Sequence, residues 1–353
     1  MHTTIKQLAC AAAVAASLGT TAPAHALVFN LTSTGNANAD AGFQAAANYW
    51  QSVFIDPITV NITAGFAALR PGVLAQAGSS IYDTNFAAVK TALAADSTSA
   101  DDAIMVAGLP GGSTYSKYIN GTRDNPFGGG SFTPYVRSGI QSMMLTMANA
   151  KAIGLVAANA AAEDAQITFS NQFNFDFDPS DGIGAGLFDF VGIAIHELGH
   201  AMGFISGVDV LDYYYYYDFA AEFDPFASLL DFTRCSSASQ AAGADIDWRI
   251  GPDAKDFAID GNCTALVSNA WSTGRFHGDG RQASHWKDNL GIGIMDPTAV
   301  APGELNEVTA RDIQALDVTG WTQANAVPEP ASLLLLASGL LGMGAMRRRG
   351  KIV

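Results

Sequence analysis

Charge is scarce in this chain, and most of it has one sign. Asp, Glu, Lys and Arg make up 14% of the 353 residues, with 33 acids against 18 bases. A net charge of −15 argues against nucleic acid and anionic membrane surfaces as partners. Cysteine is scarce too: of three, Cys10 lies near the N-terminus, leaving Cys235 and Cys263. No cysteine stands between Cys10 and Cys235, so a thiol latency switch ahead of the histidine motif described below is excluded. Long apolar runs occur only near the two ends, and no internal repeat is present. Of six histidines, His2 and His25 fall in the first 26 residues, and two of the other four stand at 196 and 200.

Those two belong to His196-Glu197-Leu198-Gly199-His200-Ala201-Met202-Gly203-Phe204. Histidines four residues apart share one face of a helix, about one turn apart. Their ring nitrogens can grip one Zn²⁺ from the same side, with Glu197 beside them. Zinc lowers the pKa of a bound water to about 7, and a carboxylate can take its proton. The resulting hydroxide can attack a peptide carbonyl. The apolar run Phe190 to Ile195 suits a buried helix, Asp189 stands at the N-cap position, and Gly203 stands where the helix must stop.

A catalytic zinc site usually has three protein ligands and one open position. The metzincin pattern puts the third histidine three residues after the glycine, but here that position is Ser206. Asp209 and Asp212 are near but wrongly spaced, which leaves His277 and His285. His285-Trp286, followed by Ile294-Met295-Asp296-Pro297, resembles the distal part of leishmanolysin-like metzincins. In that family a long insertion separates the second and third ligands. Thr309 to Trp321 likewise resembles the final helix of metzincin domains. The resemblance covers about Asp189 to Trp321. It implies His196, His200 and His285 as zinc ligands, Glu197 as general base and Met295 as the turn methionine, with His277 as the competing third ligand.

The fold class so expected is α+β, a metzincin-like zincin. Its N-terminal lobe, residues 27–203, carries a mixed sheet and the active-site helix. Its C-terminal lobe, residues 204–322, carries the insertion, the third ligand, the Met-turn and the final helix. Strands are predicted from Leu27 to Leu31 and over Ile58, Val60 and Ile62. Helices are predicted over Phe43 to Phe54, Asn85 to Ala95 and Ser138 to Ala152, with a loop from Gly108 to Phe132. Ile167, Phe169, Phe173, Phe175 and Phe177 alternate with polar residues as a half-buried strand. The resemblance implies that this strand borders the cleft and pairs with extended substrate along its edge.

Further groups carry more than one reading. Asp176, Asp178, Ser180 and Asp181 offer oxygen ligands for Ca²⁺, or form a solvated loop. One of Tyr213 to Tyr217 can serve an oxyanion, or all can pack as an aromatic loop. Asp296 either orients a ligand histidine or caps the next turn.

The ends address the protein. Residues 1–26 have Lys6, an apolar centre and Ala24-His25-Ala26, which reads as a Sec-type signal peptide. Residues 323–353 hold Val327-Pro328-Glu329-Pro330, an apolar stretch from Ala331 to Met346 read as a short transmembrane segment, and a basic cluster. This tail resembles the PEP-CTERM sorting signal of Gram-negative bacteria. It implies an exosortase partner, tail removal, and delivery to the cell surface or extracellular matrix. Without Lys6 and the four basic residues of the tail, 13 bases face 33 acids, a charge of about −20. In that oxidising setting Cys235 and Cys263 are expected to pair.

The function so expected is an exported zinc endopeptidase acting on protein or peptide substrates. The alternative is a non-catalytic surface or matrix protein on a degenerate metallopeptidase fold. A zinc hydrolase acting on a non-peptide bond is a third reading.

Overall fold

The computed structural model describes residues 26–217 and 226–324. The expected signal peptide, apart from its last residue Ala26, and the apolar segment of the tail lie outside the described residues.

The chain is α+β, as expected. Strand β1 (Val28–Leu31) leads to helix α1 (Ala37–Val53), capped by the Asn36 side chain. One face of α1 buries Phe43, Ala46, Ala47 and Trp50, and Phe54 follows them into the core. Strand β2 (Thr59–Ala67) buries Val60, Ile62 and Ala64 on alternate positions, the period-two pattern of a half-buried strand. Next come β3 (Ala75–Ser79), β4 (Ile81–Asn85), α2 (Phe86–Asp96) and α3 (Ala100–Gly108). Then follow β5 (Tyr115–Ile119), β6 (Tyr135–Ile140), β7 (Ser142–Thr146), α4 (Met147–Ala152) and β8 (Ala165–Ser170). Helix α5 (Phe190–Met202) carries the histidine motif. Beyond it lie α6 (Val208–Tyr216), α7 (Ser237–Ala242) and α8 (Ala310–Asp317).

The main sheet has the order β1-β2-β8-β3. The first three strands are parallel and β3 runs antiparallel to β8. This corrects the sequence expectation for the phenylalanine strand. Its first part, β8, is interior, with β2 on one side and β3 on the other, so its edges are already hydrogen-bonded. The edge on that side of the sheet is β3. The alternation also breaks after Ser170. Phe175–Asp176 forms a separate short strand paired with Phe188–Asp189, just ahead of α5. Phe169, Phe175 and Phe177 gather around Phe190 at ring distances of 4.2, 5.8 and 4.7 Å, so they pack the base of α5.

Two further expectations are corrected. Ser138 to Ala152 is not one helix but β6, β7 and the short α4. Gly139 adopts φ +77, which halts a helix, and Met143 and Leu145 are buried on alternate positions of β7 against β4. The stretch from Gly108 to Phe132 holds a strand, β5, whose polar residues masked it. Lys117 is buried there with its ammonium 3.7 Å from the centre of the Trp248 ring. Strand β5 pairs with β6 and with Ile246–Asp247 from the second half of the chain.

One continuous core joins residues from Leu27 to Trp321. Trp50 of α1 donates its indole N–H to the Ile195 carbonyl (3.0 Å), and Trp321 donates to the Met202 carbonyl (2.8 Å). Both indoles thus fix α5 from opposite ends of the sequence. Cys235 and Cys263 form a disulfide with Cα atoms 5.7 Å apart, as expected.

Candidate metal centre

Helix α5 starts and stops where its sequence dictates. The Asp189 carboxylate accepts the Gly192 N–H (2.8 Å), filling one of the donors a helix start leaves open. The same carboxylate accepts the Asn306 N–H (3.0 Å), tying the start of α5 to the segment before α8. Gly203 ends the helix at φ +120, a conformation that costs other residues strain. The turn brings the Phe204 carbonyl back under the helix, where it accepts the Nδ1–H of His200 (2.7 Å). His196 donates Nδ1–H to the Ile294 carbonyl (2.7 Å), and His285 donates to Gln282 (3.3 Å).

A carbonyl can only accept, so each Nδ1 carries the proton and each Nε2 presents a lone pair. The three Nε2 atoms converge: His200 lies 3.1 Å from His196 and 3.1 Å from His285. Among the described residues this is the one group of three or more metal-ligating side chains whose ligand atoms all fall within 4.8 Å. Burial pushes the rings toward their neutral forms. His200 is held down at about 3 by burial and by His196 beside it; His196 and His285 are also lowered, chiefly by burial. Three neutral rings aiming lone pairs at one point suit a cation. Zn–N bonds of 2.0–2.1 Å in a tetrahedral site place nitrogens about 3.3 Å apart, close to the spacing here.

The floor of the site comes from the distal turn. Met295 is fully buried, and a Cβ on Gly199 would lie only 2.6 Å from its sulfur. Glycine at 199 is therefore what lets the methionine pack against α5. Trp286 stacks on Trp271 at 4.4 Å and donates its indole N–H to Asp312 (2.8 Å). The buried Asp312 also accepts the N–H groups of Thr309, Ile294 and Met295. One carboxylate of α8 thus fixes the methionine turn and the residue after His285. Sequence reasoning missed this role, although Thr309 and Asp312 spell a capping box.

Glu197 is buried on the same helix, and burial pushes its carboxyl up to about 8 against a hydrogen bond from the Ala77 backbone. Ala77 lies in the middle of β3, the edge strand among the described residues, so Glu197 adjoins that sheet edge.

His277 is not part of the cluster. Its Nδ1 pairs with the buried Asp212 at 2.9 Å, and its ring packs against Tyr215 at 4.8 Å. Asp209 and Asp212 both bind backbone amides of the distal segment and take no part in the cluster of His196, His200 and His285. Tyr213 to Tyr216 lie in α6; the Tyr215 hydroxyl donates to Gly130, while Tyr213, Tyr214, Tyr216 and Tyr217 are exposed. Asp296 accepts the N–H groups of Thr298 and Asn289, the capping role of the two considered. Asp176 and Asp178 accept amides of their own loop, at Gly184 and Ser180.

Residues 326–349 match the PEP-CTERM protein-sorting motif. That motif implies processing by an exosortase and export to the cell envelope or surface. No curated protein and no solved structure matches the chain. Among the described residues no helix is long and apolar enough to cross a membrane.

Proposed function

We propose that the chain is an exported zinc endopeptidase of metzincin type, with His196, His200 and His285 as ligands and Glu197 as general base. The observation that carries this reading is the convergence of three Nε2 lone pairs at 3.1 Å spacings, each ring oriented by a backbone carbonyl through Nδ1. A zinc ion held there supplies a Lewis acid that polarises a carbonyl and acidifies water. The chain's own residues do the rest. Glu197 accepts a proton from the attacking water and returns it to the departing amine. The water oxygen bonds to the peptide carbon while the C–N bond breaks. Strand β3 has a ladder partner only on its β8 side among the described residues, so an extended peptide can add along its other edge.

The test is metal content and casein hydrolysis of the wild-type chain beside Glu197→Gln. One zinc per wild-type chain is expected. The variant keeps its zinc and loses roughly 10²–10⁴-fold in turnover. Wild-type turnover by the variant overturns the assignment of Glu197. A folded wild-type chain without zinc favours the non-catalytic surface or matrix protein instead.

A further inference from the structure

His285 stands 85 residues beyond His200, yet its Nε2 must meet the other two to within a few tenths of an ångström. It lies on a hairpin-like segment in which Trp271 bridges Trp286 and Gly274 bridges Arg281. Two charged side chains grip this segment just ahead of His285. Asp209, in the first turn of α6, accepts the N–H of Ala283 (2.5 Å) and of Ser284 (3.0 Å). Arg234 is fully buried and donates to the Ala283 carbonyl (2.9 Å) and to the Ser272 carbonyl (2.9 Å). Both ends of residue 283 are therefore held by opposite charges, and Arg234 joins the two sides of the segment. Ser272 in turn receives the backbone of His285, its N–H donating to the His285 carbonyl (3.1 Å).

A buried guanidinium is costly unless it is hydrogen-bonded, and with the Arg234 Nε buried without a partner, its two bonds to this segment hold it in place. Charged partners also make hydrogen bonds about twice as strong as neutral ones. The first partner, Asp209, stands only six residues after Gly203, on the chain that continues from α5.

We propose that Asp209 and Arg234 are positioning residues that register His285 against His196 and His200. The inference rests on reading the three histidines as a metal site. Through Asp209, the segment leaving α5 reaches across the insertion and sets the third ligand's backbone. Asp212, one turn further along α6, grips Phe276 and His277 at the far end of the same hairpin and serves as the internal control.

The experiment measures zinc dissociation constants by chelator competition on the purified full chain: wild type, Asp209→Ala, Asp209→Asn and Asp212→Ala. Asp209→Ala is expected to weaken zinc binding by roughly 10–100-fold, the effect typical of residues that orient a ligand. Asp209→Asn weakens it less, because the carboxamide oxygen still accepts one of the two amides. Asp212→Ala leaves it little changed. The visible spectrum of bound cobalt(II), which reports ligand geometry, changes in the Asp209 variants and not in Asp212→Ala. Should Asp209→Ala fail to fold, Asp209→Asn decides. Wild-type affinity in both Asp209 variants overturns the proposal while leaving the metal site intact. Equal losses in Asp209→Ala and Asp212→Ala also overturn it, since that pattern means general loosening. A wild-type chain that binds no zinc overturns the metal site and the proposal with it.

Discussion

The two halves of the candidate centre meet at one point by different means. His196, Glu197 and His200 share a single helix, so their relative positions follow from helical geometry and from a cap at each end, Asp189 and Gly203. His285 has no such support. It depends on Asp209 and Arg234 at residue 283, on Asp312 behind Trp286, and on the Trp271 stack. The first half is a local structure that tertiary packing merely orients. The second is a loop-rich region whose geometry exists only through long-range contacts, polar and aromatic. Accuracy at a site thus comes at low entropic cost from a helix, and at higher cost from an insertion that must be fastened at several points.

The comparison can be tested most severely at the third ligand. His285→Ala should abolish stoichiometric zinc binding, whereas His277→Ala should retain it, as measured by mass spectrometry of the purified chain. The reverse result moves the ligand to His277 and removes the distal half of the site as described.

Acid sensitivity is the next largest effect. In the metal-free chain burial lowers all three histidines, His200 to about 3, against a value of about 6.5 when unfolded. Below pH 6.5 these histidines then bind more protons in the unfolded state than in the fold. Their contribution to stability is therefore fully present above 6.5 and is lost as pH falls, for His200 toward about 3, by up to about 1.4 kcal/mol per histidine per pH unit. Carboxyls raised by burial, Glu197 to about 8 and Asp56 to about 7, act in the opposite sense. Thermal melts in chelator from pH 7 to pH 5 measure this. Relative to wild type, His200→Gln and His285→Gln should each lose less stability between pH 7 and pH 5. If only His200→Gln does so, the distal histidine is not packed into the metal-free site.

The smallest effect separates the regions by stability. Replacing Cys235 and Cys263 by Ser should cost about 3 kcal/mol, the usual value for a loop of this order. Hydrogen exchange should quicken around residues 271–286 and change little in α5. Equal quickening in both would mean that the two regions open as one unit.

Much of this was legible in the residues themselves. The period of α1, the alternation of β2, the start and stop of α5 and the pairing of two cysteines all rest on neighbouring side chains or on simple counting. Where the reading went astray, a tertiary partner had outweighed the local signal. Ser138 to Thr146 became strands because β4 lies alongside, and β5 formed because Trp248 covers Lys117. The phenylalanine strand is interior because β3, earlier in the sequence, docks on its outer side. Asp209 was visible only as a carboxylate with the wrong spacing for a ligand.

By itself the sequence determined the histidine helix, its caps and the sorting tail, since each depends on groups within a few residues or on a continuous stretch. Only the tertiary structure decided that His285 joins His196 and His200, that His277 pairs with Asp212, and that β3 is the edge strand beside Glu197 among the described residues. Those outcomes depend on hydrogen bonds between residues 64 to 98 positions apart, and on sheet order. No local spacing encodes them, because the same residue types could satisfy their polar groups in many other pairings.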